Sequence, residues 1–218
     1  MRIPYIDLAR QHAPIKEELL AVVGAVIDEG QFVLGRQVAE FEGQFARLCG
    51  VSHAVGVNSG TDALILALRA LGIGPGDEVI AAPNSFVVSA WSIAVAGARP
   101  VFVDVGDDYN MDPERLAAAI TPRTKAVMPV HLTGHPCAMG AILEIAAAKG
   151  VQVVEDCAQA VLAEYDGRRV GSFGAIGCFS KHPLKTLNSC RVCERMGADF
   201  DVSTRVVRDD GLILPYRW

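Results

Sequence analysis

The chain has 218 residues, enough for one large domain with a full core or for two small ones. Its 51% hydrophobic and 21% charged residues exclude a disordered protein, and its net charge of −5 gives no basic surface for nucleic acid. The N-terminus MRIPYIDLAR contains no apolar signal segment, and the six cysteines are scattered. We therefore expect a cytoplasmic protein with reduced thiols and no nucleic-acid or membrane partner.

Helix and strand patterns alternate along most of the chain. Several predicted helices end at a glycine, and Asp112 with Pro113 begins one of them as N-cap and first residue. The predicted helices cover residues 15–30, 37–50, 59–74, 85–97, 112–120 and 138–150. The predicted strands cover residues 53–57, 77–82, 99–105, 124–130, 151–156 and 175–180. This repeated order predicts an α/β protein with a mostly parallel sheet and helices on both faces.

The stretch over residues 79–98 has no charged residue and is long enough to span a bilayer. It also contains Pro83, Asn84 and three serines, which argue against a membrane helix. We interpret it as a buried strand ended by proline, followed by a buried helix that ends at Gly97.

Ser59, Gly60 and Thr61 stand where the strand over 53–57 turns into a helix. In a mostly parallel sheet, ligands bind at the carboxyl ends of the strands. Backbone N–H groups at a helix N-terminus attract phosphate, Gly60 allows close approach, and the Thr61 hydroxyl can donate. Plain N-capping by Ser59, with Asp62 at the third helical position, explains the same residues. The sequence leaves both interpretations open.

Two acids, Glu155 and Asp156, end the predicted strand over 151–156. A carboxylate at the end of a buried strand is costly unless a cation meets it. The protonated pyridine nitrogen of pyridoxal phosphate is one such cation, and Gln159 can donate to the phenolic oxygen of the same ring. A metal-binding or merely capping acid is the alternative role for Asp156. We expect residues 59–61 at the end of a neighbouring strand.

Other candidate side chains follow the ends of further strands. Phe86 can stack on a planar cofactor ring, although an aromatic residue there is more often part of a core. His131 and His135 flank the turn LTG, which suggests a loop at the pocket rim, but a lone histidine is more often a satisfied core residue. Cys190 and Cys193 form a C-x-x-C without a second pair, so no metal site is predicted.

Two lysines in the segment FSKHPLKTLN are candidates for a covalent catalyst. A lysine that forms a Schiff base must be partly desolvated so that its amine can be neutral. Lys181 directly follows the last predicted strand, and we interpret it as a rim or surface lysine. Lys185 follows Pro183, which fixes the backbone, and is slightly favoured. Ser180, near the end of that strand, can give a second hydroxyl to a phosphate.

Together these segments resemble the DegT/DnrJ/StrS family of pyridoxal-phosphate-dependent sugar aminotransferases, which have the aspartate aminotransferase fold. The similarity extends nearly continuously from residue 3 to residue 188. It rests on the ordered blocks GQFVLGRQVAEFE, HAVGVNSGTDAL, GIGPGDEVI, AITPRTKAVMPVHLTG, VVEDCAQA and GSFGAIGCFS. The resemblance implies a three-layer α/β/α large domain of the type I pyridoxal-phosphate-dependent transferase fold.

The resemblance also implies a role for each matched residue. Lys185 matches the lysine that holds pyridoxal phosphate covalently, because the family pattern is F-S-x-H-P-x-K-x-L. Asp156 matches the partner of the pyridine nitrogen, and Gln159 matches the donor to the ring hydroxyl. Asp156 and Lys185 are therefore expected to face the same pocket. The other residues assigned to the cofactor are Phe86 over the ring and Ser59, Gly60, Thr61 and Ser180 around the phosphate.

The sequence departs from the family pattern after Asn188. The family has a glycine-rich segment there, whereas this chain has SCRVCERMGADF, and family members continue well beyond residue 218. We therefore divide the chain into a cofactor-binding large domain over 1–188 and an atypical tail over 189–218. We recognise no α/β unit in the tail, and we expect the small C-terminal domain to be missing.

The implied function is transfer of an amino group from glutamate or glutamine to a keto group on a nucleotide-linked sugar. Such reactions belong to the biosynthesis of polysaccharide, lipopolysaccharide or antibiotic sugars, and the intact family member is expected to be a homodimer. The alternative is an inactive fragment that at most binds the cofactor or pairs with a full-length homologue. We expect little or no turnover from these 218 residues alone.

Overall fold

A central β-sheet flanked by helices makes up the residues that the computed structural model describes, which are 4–187 and 203–207. The α-helices are α1 (Leu8–His12), α2 (Lys16–Glu29), α3 (Arg36–Cys49), α4 (Gly60–Ala70), α5 (Val88–Val95), α6 (Pro113–Ala119) and α7 (Met139–Lys149). Short 3-10 helices lie at Ala13–Ile15 and Leu132–Gly134. The strands are β1 (His53–Val57), β2 (Glu78–Ala81), β3 (Arg99–Phe102), β4 (Thr124–Met128), β5 (Gln152–Asp156), β6 (Glu164–Tyr165), β7 (Arg168–Arg169), β8 (Ile176–Cys178) and β9 (Ser203–Val207).

The helix ends follow local signals in the sequence. α2, α3 and α7 end at Gly30, Gly50 and Gly150, whose φ angles of 68°, 70° and 66° lie in the left-handed region that favours glycine. The Asp112 side chain caps α6 by accepting hydrogen bonds from two backbone N–H groups of its first turn. The predicted helices are therefore confirmed, although α4 ends earlier than predicted, at Ala70.

The main sheet has the strand order β1-β9-β8-β5-β4-β2-β3. β2 pairs in parallel with β3 and β4, β4 pairs in parallel with β5, and β5 pairs in parallel with β8. Within the described sheet only β9 runs antiparallel to its neighbours, β1 and β8. The expectation of a mostly parallel sheet is confirmed, and the parallel strands direct their carboxyl ends to the same edge.

Alternate residues of the central strands face two different helical layers. Val79 and Ala81 of β2 pack with α4 and α5, whereas Ile80 between them packs with α6 and α7. In the same way, Val154 of β5 faces the first layer and Val153 faces the second. Because the strands are covered on both faces, consecutive residues are apolar. The result is the three-layer α/β/α architecture that the sequence predicts.

The uncharged stretch over 79–98 forms the end of β2, a loop, α5 and the turn after it. The interpretation as strand, loop and helix is therefore confirmed. Among the described residues, no helix combines the length and the apolar character needed to cross a bilayer.

The structure also contains elements that the sequence patterns did not predict. β6 and β7 form an antiparallel hairpin whose turn contains Asp166 and Gly167, with φ of 49° and 74°. β9 lies within 189–218, where we recognised no α/β unit, and it is inserted between β1 and β8. Cys190 and Cys193 lie outside the described residues.

Candidate functional site

A cavity of about 740 Å³ opens where the segments after β1, β5 and β8 meet. Residues after β2 and β4 complete its walls, among them Val88, Val130 and Leu132. Every residue that the sequence assigns to the cofactor lines this cavity, namely Ser59, Gly60, Thr61, Phe86, Asp156, Gln159, Ser180 and Lys185. Residues that are distant in the chain therefore meet at the carboxyl edge of the sheet.

Asp156 ends β5 and lines the cavity, although it is only 6% exposed. Its Oδ2 accepts a hydrogen bond from Ser89 Oγ at 3.1 Å, and its Oδ1 accepts one from the Ala158 N–H at 3.1 Å. Burial raises the pKa of Asp156, whereas these two donors and the charge of Lys185 act in the opposite direction. A cationic group placed against this carboxylate would offset its desolvation.

Ser59 is the N-cap of α4 at the wall of the cavity. Its Oγ accepts a hydrogen bond from the Asp62 N–H at 3.0 Å and donates one to the Asp62 carboxylate at 2.9 Å. The capping interpretation of Ser59 is therefore confirmed. Gly60 and Thr61 follow in the first turn, whose N–H groups have no acceptor within the helix. Capping and anion binding are compatible here, because the cap fixes the direction of those N–H groups.

Gly60 lies directly against the end of β8. A Cβ atom at this position would be 2.8 Å from the Cβ of Ser180 and 3.2 Å from its Oγ, so a side chain here would force the two segments apart. We expected residues 59–61 to follow a strand adjacent to that of Asp156, and this expectation is wrong. β8 and β9 lie between β1 and β5. The close approach of Gly60 to Ser180 still brings the start of α4 into the cavity.

Lys185 lies in the turn that follows β8 and is half-buried. Its N–H donates a hydrogen bond to the His182 carbonyl at 2.8 Å, which closes the turn. Burial lowers the pKa of Lys185, and the charge of Asp156 opposes this effect. A partly desolvated amine that shares a cavity with a carboxylate has the properties required of a Schiff-base lysine.

Lys181 is buried, so the interpretation as a rim or surface lysine is wrong. It is 2% exposed, and its Nζ lies 4.1 Å from the ring centroid of Phe45 and 5.7 Å from that of Phe179. Side chains alternate along extended backbone, so Lys181 shares the side of Phe179, whereas Ser180 is turned towards α4. Burial lowers the pKa of Lys181 to about 7. Its Nζ has no hydrogen-bond partner within the part of the chain that the structure describes.

Phe86 and Gln159 are exposed residues of the cavity wall. Phe86 precedes α5 and is 70% exposed, so its ring is not part of the core. The Gln159 carbonyl accepts a hydrogen bond from Thr186 Oγ1 at 3.3 Å, which ties this loop to the segment that carries Lys185. Both side chains present surface to a ligand in the cavity.

Glu155 precedes Asp156 but has a different role, because alternation along β5 turns it away from the cavity. It is fully buried and organises the loop before β8. Its Oε1 accepts hydrogen bonds from the N–H groups of Phe173 and Gly174 at 2.8 and 2.7 Å, and its Oε2 accepts one from the Gly171 N–H at 2.8 Å. Glu155 therefore supports the fold beneath the site.

His131 is a satisfied core residue, whereas His135 is exposed. His131 Nδ1 accepts a hydrogen bond from the Cys137 N–H at 3.0 Å, so the ring proton lies on Nε2, 3.1 Å from Glu155 Oε2. Cys157 completes a group whose ligand atoms lie within 4.8 Å of one another. Burial raises the pKa of the Cys157 thiol well above its usual range. Hydrogen bonding explains this group, and we assign no metal to it.

Sequence reasoning missed Ser89, which donates to Asp156 from α5. This serine is 1% exposed. A signal was present, because a hydroxyl inside an apolar helix needs a hydrogen-bond partner. The sequence could not identify that partner, since Asp156 lies 67 residues further along the chain.

The residues around the cavity fit pyridoxal phosphate. A helix N-terminus pressed against Ser180 suits a phosphate group, and the buried carboxylate of Asp156 suits a protonated ring nitrogen. The half-buried amine of Lys185 suits a Schiff base. Together, the layered fold and this cavity define the class of pyridoxal-phosphate-dependent transferases.

The chain belongs to the DegT/DnrJ/EryC1/StrS aminotransferase family, which it matches over residues 13–191. The UDP-N-acetyl-3-dehydro-alpha-D-glucosamine 3-aminotransferase of Acidithiobacillus ferrooxidans is 51% identical over 188 residues, covering 86% of this chain and 51% of that protein. The crystal structure of S. venezuelae DesV in complex with a ketimine intermediate has a TM-score of 0.87 at 43% identity, covering 96% of this chain and 54% of that chain.

A further solved structure, NtdA from Bacillus subtilis with bound cofactor PMP, has a TM-score of 0.85 at 29% identity. The match covers 95% of this chain and 45% of that one. The resemblance found in the sequence is therefore confirmed at the level of family and fold. The chain spans about half the length of the relatives it matches.

Proposed function

We propose that this chain is the cofactor-binding part of an aminotransferase that moves an amino group from glutamate or glutamine to a keto group on a nucleotide-linked sugar. The observation that carries the proposal is the meeting of buried Asp156 and half-buried Lys185 in one cavity of a family member. The relative from Acidithiobacillus ferrooxidans, whose name gives a UDP-linked sugar, supports this substrate class. The product would serve polysaccharide, lipopolysaccharide or antibiotic-sugar biosynthesis.

The ring end of the cavity supplies the groups for the chemistry. Pyridoxal phosphate, when bound, provides an electron sink for the negative charge that develops at the donor's Cα. Lys185 would be the residue that holds the cofactor, and its amine could accept and return the proton at that Cα, since burial lowers its pKa. Asp156 keeps the pyridine nitrogen protonated, Phe86 covers the ring, and Gln159 donates to the ring hydroxyl.

The other end of the cavity holds the phosphate in this proposal. Ser59 caps α4 and so fixes the direction of its first N–H groups. The hydroxyls of Thr61 and Ser180 add two side-chain donors. Gly60 allows both segments to reach the same phosphate, because a Cβ there would collide with Ser180.

We expect added pyridoxal phosphate to label Lys185 covalently after borohydride reduction. Lys185 is half-buried in a turn that lines the cavity. Lys181 also borders the cavity, but it is 2% exposed and its amine packs on the ring of Phe45. Mass-spectrometric mapping of the tryptic peptides then identifies the labelled lysine.

Two variants control this experiment. Lys181→Met removes the other lysine of the segment and should keep the label, whereas Lys185→Arg keeps the positive charge and should abolish it. A label on Lys181, or a label that survives in Lys185→Arg, would contradict the assignment.

A fragment that binds the cofactor without turnover remains the alternative function. The chain spans about half the length of the relatives it matches. Both functions give the same label at Lys185. An assay with glutamate or glutamine and a panel of nucleotide-linked keto-sugars separates them, run beside a chimera that adds the remaining half of a matched relative. Turnover in both proteins supports the enzyme, and turnover in the chimera alone supports the fragment.

We also propose that the protein forms a homodimer in the cytoplasm. Val87, the N-cap of α5, forms an exposed apolar stripe at helical spacing with Trp91 and Val95 of that helix, and Phe86 precedes it. Contiguous apolar surface of this kind marks an interaction site. Sedimentation velocity should therefore show a dimer, and Trp91→Asp should weaken it. A monomer at all concentrations would contradict the dimer proposal.

A further inference from the structure

Ser89 connects two groups that flank the cavity. Its Oγ donates a hydrogen bond to Asp156 Oδ2 at 3.1 Å, and its N–H donates one to the Phe86 carbonyl at 3.0 Å. The side chain is 1% exposed and belongs to the first turn of α5, so its position is set by the fold. A buried hydroxyl that bonds a buried carboxylate has a defined direction and few alternative partners.

We propose that Ser89 is a positioning residue that orients the Asp156 carboxylate towards the ring nitrogen of the cofactor. The inference rests on the proposed function, because it assigns the role of Ser89 relative to pyridoxal phosphate. Ser89 itself does not line the cavity, so it acts through Asp156 and not on the substrate.

The two oxygens of Asp156 are fixed by two different donors. The Ala158 N–H holds Oδ1 from within the loop that follows β5, at 3.1 Å. Ser89 holds Oδ2 from a separate element, α5, on the layer that covers the sheet. With one donor on each oxygen, rotation of the carboxylate about its Cβ–Cγ bond costs a hydrogen bond. Each oxygen keeps acceptor capacity for a further donor.

Ser89 also favours the charged form of the carboxylate. Burial is the largest influence on Asp156 and raises its pKa, while the Ala158 and Ser89 hydrogen bonds and the charge of Lys185 lower it. A hydrogen bond to the ionised form stabilises that form only. Loss of the Ser89 hydroxyl therefore shifts Asp156 towards the protonated state, in which it cannot serve as the acceptor for a protonated ring nitrogen.

Ser89→Ala tests the inference, with Ser92→Ala as the matched control. Ser92 lies one turn later in α5, is also fully buried, and donates its hydroxyl to the Ser89 carbonyl at 2.9 Å without contacting Asp156. Both variants lose one buried hydroxyl from the same helix. Ser89→Thr keeps a donor at the site, and Ser89→Cys keeps the shape with a much weaker donor. Thermal unfolding of each variant establishes that it folds.

Two readouts are compared in the same proteins. The first is the titration of the Asp156 carboxyl carbon by NMR in the absence of cofactor, where Ser89→Ala should raise the pKa by about 1. The second is the dissociation constant of pyridoxal phosphate, which should rise about tenfold in Ser89→Ala. Ser89→Cys should follow Ser89→Ala, Ser89→Thr should restore both values, and Ser92→Ala should change neither.

The outcomes separate this inference from the proposed function. If Ser89→Ala and Ser92→Ala leave the same Asp156 titration, the positioning role is overturned, whether or not the chain binds cofactor. If the Asp156 pKa rises but the unaltered chain binds no pyridoxal phosphate, the proposed function fails and the cofactor role of Ser89 fails with it. A raised pKa together with weakened binding, rescued by Ser89→Thr, supports the inference.

Discussion

Replacing Lys181 by methionine is expected to raise the free energy of unfolding by about 2–4 kcal/mol near neutral pH. Lys181 is 2% exposed, and its ammonium has no hydrogen-bond partner within the described residues. The difference between its ordinary pKa of 10.5 and the value of about 7 in the folded protein corresponds to at most about 5 kcal/mol. Methionine fills similar space against Phe45 without a charge that must leave water. The expected gain is below that limit because the ring face attracts the cation.

The stability gain should depend on pH in a defined direction. Folding lowers the pKa of Lys181, so between about 7 and 10.5 the unfolded chain binds a proton that the folded chain does not. The buried lysine therefore lowers the free energy of unfolding most below pH 7 and least above pH 10.5. The difference in stability between Lys181→Met and the unaltered chain should be largest at low pH and should shrink as the pH rises across this window.

Urea unfolding at several pH values measures this difference. Lys125→Met is the matched control, because Lys125 is an exposed lysine on β4. The free energy of unfolding of this variant should be within about 0.5 kcal/mol of that of the unaltered chain at every pH. A Lys181→Met variant that is less stable than the unaltered chain, or a gain that does not change with pH, would show that the buried ammonium is not the cause.

Replacing Glu155 by alanine should lower the free energy of unfolding by about 3–5 kcal/mol. This effect is similar in size to that of Lys181→Met and opposite in sign. The Glu155 carboxylate accepts hydrogen bonds from three backbone N–H groups of the loop 171–174 and lies 3.1 Å from His131 Nε2. Removing it leaves these donors without an acceptor in a site that water does not reach. Glu155→Gln should also be destabilised, because its amide turns a donor towards one of these N–H groups.

Glu164→Ala is the control for this prediction. Glu164 lies at the exposed β6–β7 hairpin and pairs only loosely with Arg169, at 3.6 Å. An exposed ion pair contributes little, so this variant should lose less than about 1 kcal/mol. Chemical unfolding of both variants gives the comparison, and equal losses would refute the structural role assigned to the Glu155 carboxylate.

Much of the fold was predictable because its signals are local. The glycine that ends a helix, the Asp112 cap and the apolar strands act within a few residues of the chain. The β6–β7 hairpin was missed although its turn contains Asp166-Gly167, a pair typical of tight hairpins. β9 was missed for a different reason, since its place between β1 and β8 depends on pairing with distant strands.

The candidate site was predictable in part. The resemblance named residues on several separate segments, and the structure brings all of them to one cavity, while their roles stay proposals. The predicted strand stopped at Ser180. If it had included Lys181, the alternation of side chains would have placed this lysine on the same buried side as Phe179. The partner of Ser89 could not be predicted, because a serine in a helix indicates a need for an acceptor but not which one.

The sequence by itself determined the layered α/β architecture and the position of the acids at the end of β5, and through the family resemblance it predicted Lys185 rather than Lys181 as the cofactor lysine. These features follow from short-range periodicity, helix-capping residues and ordered blocks, each of which can be recognised without knowing what lies opposite. Only the tertiary structure decided the strand order, the contact of Gly60 with Ser180, the burial of Lys181 and the bond from Ser89 to Asp156. These features depend on which surfaces meet when the sheet is assembled, and contacts between distant residues leave no periodic trace in the chain.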